Sequence, residues 1–155
     1  MPLLHAALRW NYVLVTALCG SFLAQFIKVI LNLFIFHRFI PERMWGAGGM
    51  PSSHSATVCA MVVATGRYCG ISSPTFAIAA VLSIIVMYDA MGVRYETGEQ
   101  AKVLNRLFTE WMDQGIEQFQ FPHGKKLKEM VGHTPIEVLT GAALGIVLGF
   151  VMPMV

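Results

Sequence analysis

The chain has 155 residues, about one domain's length, with 55% hydrophobic residues, 13% charged residues and a formal net charge of +2. Soluble domains run near a quarter charged, so this composition and a mean hydropathy of +0.60 place the chain in a membrane. A net charge this small, without a basic stripe interleaved with aromatics, argues against a nucleic-acid partner.

In chain order, the first apolar segment spans about 12–36 and carries one charge, Lys28. The run continues to Phe36, and Leu18 before Cys19 is a poor lipoprotein cleavage position, so a retained helix is expected instead of a cleaved signal. A lysine within a span costs several kcal/mol and usually faces a partner or a cavity. The competing reading is a side chain that snorkels to the interface. The run 48–56 (GGMPSSHSA) then opens straight into an apolar helix. Glycines, a proline, hydroxyls and a histidine at a helix start suit an anion, because free N–H groups and the positive dipole end point at it. Ser52 or Ser53 acting only as an N-cap is the plainer alternative.

Spans two and three cover about 54–69 and 74–93, and are short for a membrane helix of about 20 residues. Asp89 lies inside the third. The polar region 94–134 follows. In it Val103, Leu104, Leu107, Phe108, Trp111 and Met112 recur at helical spacing opposite Glu96, Glu99, Lys102, Arg106, Glu110 and Asp113, as in a helix lying on a membrane surface. A loop is expected over 113–124, with the breaker FPHG at 121–124, and one or two helical turns over 125–131. The last span covers about 135–153, with Thr134 as N-cap and Pro135 at the first helical position. Gly141, Gly145 and Gly149 offer a close-packing face on it. The expected fold is therefore an all-α integral membrane protein, a single domain over 1–155 with about four transmembrane helices plus a surface amphipathic helix. So thin a bundle also invites self-association into a homo-oligomer.

If all four segments cross, one side holds Arg38, Arg43, Arg94, Lys102, Arg106, Lys125, Lys126 and Lys128, and the other only Arg9 and Arg67. The positive-inside tendency makes the first side cytoplasmic and puts both termini on the opposite side. Lys28, His54, Asp89, Arg94, His133 and Glu137 all fall toward that cytoplasmic face, and such convergence implies a site. Cys19, Cys59 and Cys69 have no metal spacing and read as buried thiols. Neither a metal nor another cofactor is expected.

Two histidines beside cations suggest a phosphoryl site. Glu137, one turn after His133, can receive an imidazole N–H and leave the other ring nitrogen to attack, although a capping histidine with a first-turn glutamate fits the same residues. One histidine would attack phosphorus and the other would protonate the leaving oxygen. Lys28, Arg94 and the N–H groups at both helix starts would hold the phosphoryl oxygens. Asp89 would pair with Arg94 or orient a histidine.

The run 48–56, with the blocks 88–94 (YDAMGVR), 100–105 (QAKVLN) and 132–141 (GHTPIEVLTG), resembles the divergent branch of type 2 phosphatidic acid phosphatases, relatives of acid phosphatases and vanadium haloperoxidases. The resemblance covers most of the chain from Lys28 onward. It implies a helical membrane phosphatase acting on a lipid phosphate or diphosphate among membrane lipids. It also implies roles: Lys28 with Ser53, beside Ser52, for phosphate binding, His54 as acid, His133 as nucleophile and Glu137 as its orienting acid. The parent pattern has Arg-Pro where this chain has Ile35-Phe36, and an arginine where it has Leu127. Those losses favour an alternative, a phosphate- or phospholipid-binding or transport protein that has lost the chemistry.

Overall fold

A computed structural model describes residues 2–36, 49–114, 121, 125–129 and 131–154, with side chains of the first helix described over 10–34. The loop 37–48 with Arg38 and Arg43, the Arg9 side chain, and Pro122, His123 and Gly124 of the breaker lie outside the described residues. The order is α1 (Pro2–Phe36), α2 (Ser53–Cys69), α3 (Pro74–Met91), α4 (Val93–Asp113) and α5 (Pro135–Val151), with no strand among the described residues. The chain is all-α.

Helix α1 bends at Asn11, whose φ of −159° and ψ of 93° are not helical. Beyond the bend, 10–34 is long and apolar enough to cross a membrane, as is the run 74–113 that joins α3 to α4 through Gly92. Helices α2 and α5 have 17 residues each, about 25 Å of rise. The last span was expected to reach residue 153, but its helix stops at Val151. Met152 is extended there (φ −61°, ψ 125°), and Pro153 cannot donate to a continuing helix.

Helix α2 is the centre, touching α1, α3 and α5. The packing surfaces are small residues at four-residue spacing. On α1 the row is Tyr12, Thr16, Gly20, Ala24 and Lys28, all buried. On α2 it is Ala56, Ala60 and Ala64, each wholly buried. A Cβ on Gly20 would sit 2.9 Å from the Ala56 carbonyl oxygen, and one on Gly141 or Gly145 would run into the carbonyls of Ser52 or Ala56. The glycine face of α5 is thus occupied within the chain by α2. Ser83 adds a polar tie, its hydroxyl donating from α3 to the Val58 carbonyl at 3.1 Å.

Two local expectations change. The described residues of 125–131 form no helix. They make a non-helical strap on α4, where Asn105 takes the Leu127 N–H (2.8 Å) and carbonyl (2.9 Å) that a helix would need for itself. Cys69, at the end of α2, is exposed, whereas Cys59 is buried and Cys19 half-buried; all three are free thiols. On the apolar side of α4, Val103, Leu104, Leu107 and Met112 are exposed.

Candidate active site

The start of α2 is shaped by Gly49, whose φ of 86° is left-handed and favours glycine. A Cβ there would lie 3.6 Å from Lys28 Cδ, so this turn lies directly on the lysine stem. Ser52, fully buried, is the N-cap, accepting from the Ser55 N–H at 3.4 Å and the Ser55 hydroxyl at 3.1 Å. Its own N–H donates to the Glu137 carbonyl at 2.9 Å. That backbone bond welds the start of α2 to the start of α5, and the missing Cβ of Gly141 lets the two approach. The first turn of α2 and Glu137 become neighbours as a result.

His133 arrives from the strap. Gly132 has φ 88°, and a Cβ on it would collide with the backbone of Arg94 and Tyr95. The His133 N–H donates to the Ala90 carbonyl at 3.0 Å, fixing the residue against the end of α3. One residue later a capping box starts α5: Thr134 Oγ1 accepts from the Glu137 N–H at 3.4 Å, and Glu137 Oε2 accepts from the Thr134 N–H at 3.2 Å. The same Oε2 lies 3.0 Å from His133 Nδ1. A carboxylate there holds the imidazole proton on Nδ1 and leaves the Nε2 lone pair available.

His133 Nε2 is buried and has no hydrogen-bond partner. The residue is 2% exposed. Leaving a buried polar atom unmatched costs about 1–3 kcal/mol, so this nitrogen is placed to receive a ligand, an ion or a water. Burial pushes this imidazole below its usual value, opposed by the hydrogen bond and charge of Glu137. It therefore stays neutral, as a nucleophile must. The His54 ring stands edge-on to it, with centroids 6.1 Å apart at 63°.

Lys28 is 2% exposed, so it turns into the bundle and does not snorkel. Its charge acts on both imidazoles and on Glu137. Ser53, buried at the first turn of α2, accepts a hydrogen bond at 3.4 Å from Gln25 Nε2. Arg94 pairs with Asp89 through Nε and Oδ2 at 2.5 Å, with both side chains partly exposed. The pair bears electrostatically on the exposed His54 and forms the outer edge of the cluster. All eight sequence-derived residues thus lie on or beside one cluster, with the Ser52 side chain engaged in capping.

Gln25 is a residue the sequence reading missed. Its Oε1 is the other buried, unpartnered side-chain atom among the described residues. Its position three residues before Lys28, on the same face of an apolar helix, was the available signal. Among the described residues no three of His, Cys, Asp and Glu group as a metal site would require.

The model of the divergent PAP2 family matches residues 9–148 of this chain. An uncharacterized membrane protein of Bacillus subtilis (strain 168), YuiD, is 38% identical over 148 residues, covering 92% of this chain and 94% of its own length. No solved structure matches.

Proposed function

The chain belongs to the divergent PAP2 family and is a membrane protein, and from that premise we propose that it is a metal-independent phosphatase acting on a lipid phosphate or diphosphate. The observation that carries this reading is the buried, unpartnered Nε2 of His133, held neutral beside Glu137 and edge-on to His54. In the proposed reaction His133 Nε2 attacks phosphorus, and the bond to the ester oxygen breaks as His54 gives that oxygen its proton. Water, deprotonated by His54, then attacks the phosphohistidine to release inorganic phosphate and restore His133. Lys28, the Ser53 hydroxyl and the free N–H groups of α2 neutralise the phosphoryl oxygens. Arg94, released from Asp89, supplies a further cation in place of the arginines absent at 35 and 127.

Four crossings with the cluster beneath the cytoplasmic leaflet fit the Lys and Arg distribution. The exposed apolar side of α4 then rests on that leaflet. The test is phosphate release from polyprenyl and diacylglycerol phosphates in detergent micelles. His133→Ala and His54→Ala should each abolish it while the protein stays folded, and full activity in both variants would overturn the mechanism. The lost arginines favour a second reading, a binding or transport protein. It predicts phosphate binding that Lys28→Ala removes, with no turnover by the native chain.

A further inference from the structure

The block QAKVLN ends on Asn105, which lies on α4 outside the cluster of histidines and is 4% exposed. Its side chain is fully used on the strap. Nδ2 donates to the Leu127 carbonyl at 2.9 Å and to Glu129 Oε1 at 2.8 Å, and Oδ1 accepts from the Leu127 N–H at 2.8 Å. This two-way clasp of one residue's N–H and carbonyl imitates a neighbouring strand and therefore recognises one register of the chain.

Nearer the histidine, Gly132 against the Arg94–Tyr95 backbone and the His133 N–H on the Ala90 carbonyl hold the same register, and Asn105 holds it at the other end of the strap. A Cβ on Gly98 would sit 2.6 Å from the Glu129 carbonyl oxygen and 2.9 Å from that of Val131, so the strap lies directly on the α4 backbone. Shape alone holds it weakly, because the seam also contains a cavity of about 680 Å³ lined by Lys102, Arg106, Glu110 and Lys126 among others. The strap turns where the Val131 N–H donates to the Glu129 carbonyl at 3.0 Å and again at Gly132, so displacing Leu127 by one residue displaces everything after it. A slip of one residue would therefore carry His133 away from Glu137 and His54.

We propose that Asn105 is a positioning residue for His133, its clasp on the Leu127 backbone and on Glu129 holding the register in which the strap delivers the buried imidazole to the phosphoryl site. The kinetic consequence rests on the function proposed above; the geometric one does not. Asn105→Ala should lower kcat about 10²-fold, the scale of a misplaced reacting group. Competitive inhibition by inorganic phosphate should stay within about twofold, because Lys28 and the start of α2 are untouched. In the double variant Asn105→Asp with Glu129→Gln, donor and acceptor exchange places between those two residues while the Leu127 carbonyl still lacks its donor, so only a minor part of the lost kcat should return relative to Asn105→Asp alone.

A readout independent of turnover is carbethoxylation of each histidine by diethyl pyrocarbonate, resolved by mass spectrometry. In the native chain exposed His54 should react well before buried His133. Asn105→Ala should raise the His133 rate about tenfold or more relative to His54, as a loosened strap opens, and Gly98→Ala should do the same. An unchanged His133-to-His54 ratio in both variants overturns the positioning role. If the native chain turns over no substrate, the phosphatase reading fails, and the labelling ratio still decides this one.

Discussion

Arg67 and Lys28 are cations seated toward opposite ends of the same bundle, and their surroundings differ in kind. Arg67 Nη1 lies 2.9 Å from the Tyr12 hydroxyl and 2.6, 2.9 and 2.8 Å from the carbonyls of Gly149, Phe150 and Met152. The guanidinium also sits 5.9 Å from the Tyr12 ring centroid. It satisfies the last carbonyls of α5, which a helix end leaves open, and pins α1, α2 and α5 together. About 24 Å along α1, Lys28 is buried near His133 Nε2 and Gln25 Oε1, two buried atoms without partners. One end spends its polar groups on holding the helices. The other keeps them in reserve, and function belongs where polar groups are under-satisfied.

The largest expected effect falls at the reserved end: His133→Ala should lower phosphate release by at least about 10³-fold. The thermal midpoint should fall only moderately, since the cavity and the lost Glu137 contact are partly offset by removal of an unmatched nitrogen. Lys28→Met should weaken inhibition by inorganic phosphate about 10²-fold through loss of a charge-assisted contact. It should leave the midpoint unchanged or raise it, because a buried cation is removed; a steep fall would mean that Lys28 is structural and would collapse the contrast. Arg67→Met should do the reverse, costing about 1–2 kcal/mol as partly buried carbonyls lose their donor. At temperatures where that variant remains folded, kcat should be native.

The smallest effect concerns pH. Burial lowers the His133 value below 6.5, so the acid limb of kcat/KM assigned to it should lie below that pH. Glu137 opposes the shift; in Glu137→Gln its charge is gone, the value falls further and the limb moves to more acid pH. Because the folded value is depressed, the stability that neutral His133 contributes is present above its unfolded value and is lost as pH falls through the folded one. A limb that moves to higher pH in Glu137→Gln would show that another group controls it.

The helix starts were legible because capping and dipole chemistry are local. Thr134 caps α5 as its place in the sequence suggested, and of the two serines offered for α2 the structure uses Ser52. Lys28 was legible as an anomaly in an apolar run, but burial settled which way it turns. The strap was not legible. Its lysines and glutamate resemble a surface helical turn, and only Asn105, 22 residues distant from Leu127, takes the backbone groups that such a turn would use. The glycines of α5 were visible as a packing face, yet nothing local says whether that face meets a second copy or α2.

What the sequence determined alone is therefore the chemistry available: an apolar helical chain, two capped helix starts each adjoining a histidine, one lysine within a span, and a carboxylate one turn from His133. These follow from hydropathy and from contacts within four residues. Tertiary structure decided their meeting. Bare carbonyls of α2 against Gly141 and Gly145, the Ser52 N–H on the Glu137 carbonyl, and the Asn105 clasp bring His54 and His133 to 6.1 Å. Each joins residues far apart in the chain, and close backbone approach is a property of two surfaces together, which neither segment encodes by itself.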